Sequence, residues 1–120
     1  MARILVVDDE ALFRQSVTDA LTVVGLTVVQ AEDGVRALDV LTKQRVALMI
    51  TDLKMPMMDG FELLSRMLNQ RLRVPTIVLT AFGTPEMHAR VLASGALAYM
   101  DHRVDLDDLV AKVQKLLSQE

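Results

Sequence analysis

The chain has 120 residues, with 13 Lys+Arg against 16 Asp+Glu and a formal charge of −3. That length fits one domain over residues 1–120, able to bury roughly 65% of its unfolded surface, and a composition of 52% hydrophobic and 24% charged residues excludes a disordered chain. With no Cys, disulfide frameworks, thiolate zinc sites and cysteine nucleophiles are excluded, and the mild acidity with scattered basic residues argues against direct binding to nucleic acid or anionic membranes.

Short β-rich runs alternate with longer segments of helical period. Ile4-Leu5-Val6-Val7 is a continuous apolar run ending at Asp8-Asp9, as expected of a strand buried on both faces. Residues 10–24 follow a helical period with Phe13, Val17, Leu21 and Val24 on one face, and Gly25 stops the helix. Thr27–Gln30 predicts a second strand, and Asp33 is placed to cap a helix near 35–43 with Leu38 and Leu41 inward. Ala47–Thr51 predicts a third strand, ending at Asp52. After the loop 53–60, with Asp59 as a candidate cap, Phe61, Leu64 and Leu68 mark a third helix.

Pro75 opens a fourth strand, Thr76–Thr80. Thr84-Pro85-Glu86 combines a cap, a first-turn proline and an acid favourable to the helix dipole, so a fourth helix runs from there to near Gly95. Ala98–Met100 is a short fifth strand. A last helix near 105–118 starts at Asp105 and carries Leu106, Leu109, Val110, Val113, Leu116 and Leu117 as its buried stripe. Five strand-then-helix units predict an α/β fold: a doubly wound, five-stranded parallel sheet with helices on both faces. Polar residues interrupt every apolar run well before the ~18 residues a membrane span needs, and the five-residue apolar start is too short for a signal peptide, so the expected location is the cytoplasm.

In such a sheet, ligands bind outside the carboxyl ends of the strands, where the strand order reverses. With strand order 2-1-3-4-5, Asp8, Asp9 and Asp52 converge there. Taken singly, an Asp at a strand end is more often a helix cap, and Asp8-Asp9 as a pair is equally readable as capping the first helix. Together, three carboxylates repel unless a cation neutralises them, and oxygen-only ligands favour Mg²⁺. One acid is then left as a nucleophile toward phosphorus. Thr80, ending the fourth strand, brings a hydroxyl to the same rim, and Ala81 is small enough to admit a bulky group.

These residues resemble the receiver domain of two-component response regulators, of the chemotaxis Y protein type. The resemblance covers the chain from Ile4–Glu10 to the last helix. It rests most heavily on the loop Asp52-Leu53-Lys54-Met55-Pro56-Met57-Met58-Asp59-Gly60, with Thr80-Ala81 and Gly95–Tyr99 in place. It implies a flavodoxin-like three-layer fold and a signalling switch that is not an enzyme beyond its own phosphorylation and dephosphorylation. Asp52 would be the phosphoacceptor. Asp8, Asp9, Asp52 and the Lys54 backbone carbonyl would hold Mg²⁺, and Thr80 and Tyr99 would be the switch residues. The implied donor is a sensor histidine kinase or phosphotransfer protein. The implied output is a face built from helix four, strand five and helix five, recognised by a downstream effector protein, by an output domain no longer attached, or by a second copy in a homodimer.

One departure stands out. The family places Lys-Pro after strand five, where this chain has His102-Arg103. His102 partly replaces the lysine, or Arg103 or Lys54 supplies the cation, or the switch is weakened. Losing one charged contact to a phosphoryl group is worth roughly 1.5–3 kcal/mol. The alternative function is a degenerate receiver acting as a phosphorylation-independent interaction domain. A Mg²⁺-dependent phosphatase is disfavoured because Lys54 stands where such enzymes need a second acid. Of the remaining residues, Met55 is expected to pack inward, Met57 and Met58 to lie at the surface, and His88 to be a surface or partner-face residue rather than a ligand.

Overall fold

Residues 3–80, 83–101 and 105–118 are described in a computed structural model. Ten elements alternate along the chain: β1 (Arg3–Val7), α1 (Ala11–Val23), β2 (Thr27–Ala31), α2 (Gly34–Lys43), β3 (Val46–Asp52), α3 (Gly60–Asn69), β4 (Thr76–Thr80), α4 (Pro85–Ala93), β5 (Ala98–Asp101) and α5 (Leu106–Ser118). The strands pair in parallel in the order β2-β1-β3-β4-β5, the expected topology.

The continuous apolar strands explain how one sheet serves two cores. Successive side chains point to opposite faces. Leu5, Val7, Met49 and Val78 face α2, α3 and α4, meeting Ala37, Val40, Leu63, Met67 and Val91. Ile4, Val6, Leu48, Ile50, Ile77 and Leu79 face α1 and α5, meeting Val17, Leu21, Leu109 and Val113. Each such burial is worth about 1.5–3 kcal/mol against exposure, so a polar substitution in a central strand would damage one whole layer.

Helix starts follow the predicted caps. Asp33 accepts from the Arg36 amide at 2.7 Å, Asp59 from Glu62 at 2.8 Å and Thr84 from Met87 at 3.1 Å. Asp105 accepts from the Asp107 amide at 2.7 Å. Each such bond satisfies an amide that has no partner inside its helix, typically for about 1 kcal/mol.

Two inward assignments and one outward assignment are corrected. Val24 lies past the end of α1 and is exposed, because the helix closes at Val23. Leu68 is 62% exposed: the buried stripe of α3 is Gly60, Leu63, Leu64 and Met67, which turns Leu68 outward. Met58, read as surface, is buried in the α2–α3 layer against Gly34, where the absence of a side chain makes room for its thioether. Met57 beside it is exposed, and Met55 is buried as expected.

Candidate functional site

The carboxyl ends of β1, β3 and β4 lie side by side. Val7 pairs with Thr51 and Asp52 with Leu79, so Asp8 and Thr80 each stand one residue beyond a position level with or next to Asp52. Asp8, Asp9 and Asp52 each offer a carboxylate oxygen within 4.8 Å of the other two. Asp8 is buried at 2% exposure, Asp52 is half-buried and Asp9 is exposed, and the Thr80 side chain is buried.

Local hydrogen bonds hold these groups in place. The Asp52 carboxylate accepts from its neighbour's amide, Leu53 N to Oδ1 at 2.6 Å, with the Lys54 amide farther off at 3.4 Å. Asp8 Oδ1 accepts from the Glu10 amide at 2.8 Å. Glu10, the residue at the N-terminus of α1, makes no side-chain cap bond. That residue, not Asp9, holds the N-cap position of α1. An all-oxygen set this close suits a hard divalent cation and offers no soft ligand to a transition metal.

Three contributors were not evident in the sequence. Arg14 donates through Nη1 to the Asp8 carbonyl at 2.7 Å and through Nε to Gln30 at 2.8 Å, tying the β1–α1 turn to β2. Gly60, in the sequence only the end of the Asp52–Gly60 loop, donates to the Leu53 carbonyl at 2.8 Å. A Cβ there would lie 2.7 Å from the Asp52 carbonyl oxygen. The loop can fold back over Asp52 only with glycine at that position. His88 stacks on Tyr99 with ring centroids 4.6 Å apart and planes 13° from parallel.

Tyr99, on β5, is half-buried with its hydroxyl shielded and unpartnered among the described residues. That hydroxyl occupies the space a side chain at Gly83 would fill. Burial pushes its phenol above the ordinary value, with Asp101 adding to the effect. Lys54 is exposed. His102, Arg103 and Ala81 lie outside the described residues.

A doubly wound sheet with an acidic crevice at its carboxyl edge defines the class, and the comparisons define the family. The sequence profile of the response regulator receiver domain matches residues 4–114. Sporulation initiation phosphotransferase F of Bacillus subtilis is 36% identical over 117 residues, covering 96% of this chain and 93% of that protein. The response regulator MprA of a Mycobacterium species is 35% identical over 96% of this chain, which spans about half (50%) of that longer protein. Among solved structures, chemotaxis protein CheY4 of Vibrio cholerae matches with a TM-score of 0.87 at 34% identity, covering 97% of this chain and 98% of its own. The receiver domain of the Francisella response regulator 1452 matches with a TM-score of 0.94 at 27% identity, covering 99% and 98%. The chain belongs to the response regulator receiver domain family of two-component systems.

Proposed function

We propose that the chain is a phosphoacceptor switch, with Asp52 as the residue modified. The observation that carries this reading is the gathering of Asp8, Asp9 and Asp52 beside Thr80 at one sheet edge. The donor is a phosphohistidine on a sensor histidine kinase or phosphotransfer protein. An Asp52 oxygen attacks phosphorus in line. The P–N bond breaks as the new P–O bond forms, and the imidazole leaves with its electron pair and takes up a proton.

The ligand set for Mg²⁺ is Asp8, Asp9, Asp52 and the Lys54 carbonyl, and the bound ion would offset the charge of the carboxylates and of the phosphoryl oxygens. Backbone amides orient the Asp52 carboxylate, and the Thr80 hydroxyl would donate to a phosphoryl oxygen. Thr80 also pairs in register with Asp101, two residues after Tyr99 on β5. A shift of Thr80 toward the phosphoryl group is relayed through β5, moving Tyr99 and the α4-β5-α5 face read by an effector or a second copy. Phosphorylation biases an equilibrium between two forms already present. The compartment proposed is the cytoplasm. No helix among the described residues is long and apolar enough to cross a membrane.

The test is incubation with acetyl phosphate and Mg²⁺. A gain of about 80 Da, one phosphoryl group, mapping to Asp52 and absent from Asp52→Asn is the expected result. No adduct at saturating donor would leave a phosphorylation-independent interaction domain. Steady turnover of small phosphate esters would instead make it a phosphatase. A His102→Lys variant that couples more strongly to partners would identify His102 as the weakened replacement for lysine; an unchanged one would point to Arg103 or Lys54.

A further inference from the structure

At the opposite end of the sheet, a cavity of about 560 Å³ opens between the end of α3, the start of β4 and the end of α4. Its floor is apolar, with Leu64, Met67, Leu72 and Val74, and Arg71 and Arg73 are the charged residues in its lining. Both arginines are exposed. Neither takes part in the ion pairs Arg36–Asp39, Lys43–Asp39 and Arg66–Glu62.

Arg71 also stands in a conformation that its residue type disfavours. The Leu72 amide bonds to the Met67 carbonyl at 2.8 Å and the Arg71 amide to Leu68 at 3.1 Å, so α3 ends in a paired-amide cap with Arg71 in the left-handed position at φ 58°. After α1 and α4 the chain places glycine in that position, Gly25 at φ 89° and Gly95 at φ 102°. Glycine adopts this backbone with least strain. After α3 the chain instead carries a cation at the lip of an apolar cavity. A strained residue of this kind is a reason to look for a ligand.

We propose that this cavity binds a monomeric anionic amphiphile: an unbranched apolar tail ending in a carboxylate, as in a medium-chain fatty acid. Its volume falls in the range of small-molecule sites, which are mainly apolar with a few placed polar groups. Two guanidinium forks match the carboxylate head. Leu68 at 62% and Leu97 at 56% exposure flank the opening, and a tail leaving the floor would cover them. The site shares no residue with the carboxyl edge, so binding persists in Asp52→Asn and stands or falls independently of phosphorylation.

The experiment titrates decanoate, below its micelle-forming concentration, into the chain while following side-chain methyl NMR signals. Saturable shifts at Leu64, Met67, Leu68 and Leu72 are expected, with decan-1-ol binding at least about fivefold more weakly and Arg73→Gln losing about tenfold, the worth of one charge-assisted contact. Arg71→Gly separates ligand binding from structure: it should raise Tm by about 2–5 °C by relieving the left-handed backbone, while weakening decanoate about tenfold. Equal binding of decanol, shifts that fail to saturate or that map elsewhere, or an Arg71→Gly variant that binds normally would overturn the proposal. So would sedimentation with phosphatidylglycerol vesicles in the absence of any decanoate binding, which would assign the arginines to a membrane surface.

Discussion

Replacing Asp52 with Asn should make the metal-free protein more stable, although it removes the residue on which the proposed chemistry depends. The substitution keeps an oxygen to accept from the Leu53 amide and removes one charge from the crevice. At the 4.8 Å limit of the carboxylate spacing, two unit charges repel by about 3.5 kcal/mol at an effective dielectric near 20 and about 0.9 kcal/mol in water. Asp8 is buried and Asp52 half-buried, so their pair lies between these limits, and exposed Asp9 adds a screened contribution. The expected gain in EDTA is about 1–2 kcal/mol, or about 4–10 °C in Tm. Magnesium should reverse the ranking. At a hundred times its Kd, a ligand bound only by the folded state adds about 2.7 kcal/mol, more than that gap and a gain the Asn variant should largely lose. Thermal denaturation of both proteins, with and without the ion, gives all four values. An Asn variant no more stable than wild type in EDTA, with the same magnesium gain, would refute the idea that these carboxylates repel one another round a cation site.

Further outcomes are expected elsewhere. Gly60→Ala places a methyl group 2.7 Å from the Asp52 carbonyl oxygen and 2.9 Å from the Leu53 Cα. These are backbone atoms, so a loss of about 1–3 kcal/mol in urea unfolding is expected, together with slower labelling by acetyl phosphate; a change under 0.5 kcal/mol would contradict the close approach. Met58→Ala should cost about 2–4 kcal/mol, measured as a lowered urea midpoint, whereas Met57→Ala should be nearly neutral. Tyr99 is the sole tyrosine and there is no tryptophan, so phenolate absorbance reports it alone. Its midpoint should lie above the ordinary 10.0. Because the folded state holds this proton more tightly, its contribution to stability is complete below pH 10 and declines as pH rises through the folded midpoint. Gly83→Ala should expel the hydroxyl from its niche and bring the midpoint back toward 10.

Element positions, the alternating crossover pattern and helix caps could be read from local chemistry, because apolar runs, Asp or Thr caps and stop glycines act within a few residues of themselves, whereas the strand order 2-1-3-4-5 entered as a premise that the pairing bears out. The three acids could be placed at one edge because each directly follows a strand whose neighbours the topology dictates. What could not be read depends on contacts across the fold. Met58 looks like a loop methionine until Gly34, distant in sequence, supplies the space it fills. Gly60 looks like the ordinary end of a loop until that loop returns over Asp52. The stacking of His88 on Tyr99 needs α4 and β5 to be brought together. Leu68 looks inward in the sequence because apolar positions in a short helix fit two neighbouring stripes, and packing against α2 selects the one through Leu63, Leu64 and Met67.

Placing β1 between β2 and β3 has a consequence for synthesis. Ile4 is among the first residues made, yet it waits for Val28 to cover one edge and Leu48 to cover the other. Until β3 emerges, a strand that is apolar from Ile4 to Val7 has one row of backbone amides and carbonyls open to any passing chain. Slow translation between residues 31 and 46 would lengthen that interval, and aggregation during expression should grow with it.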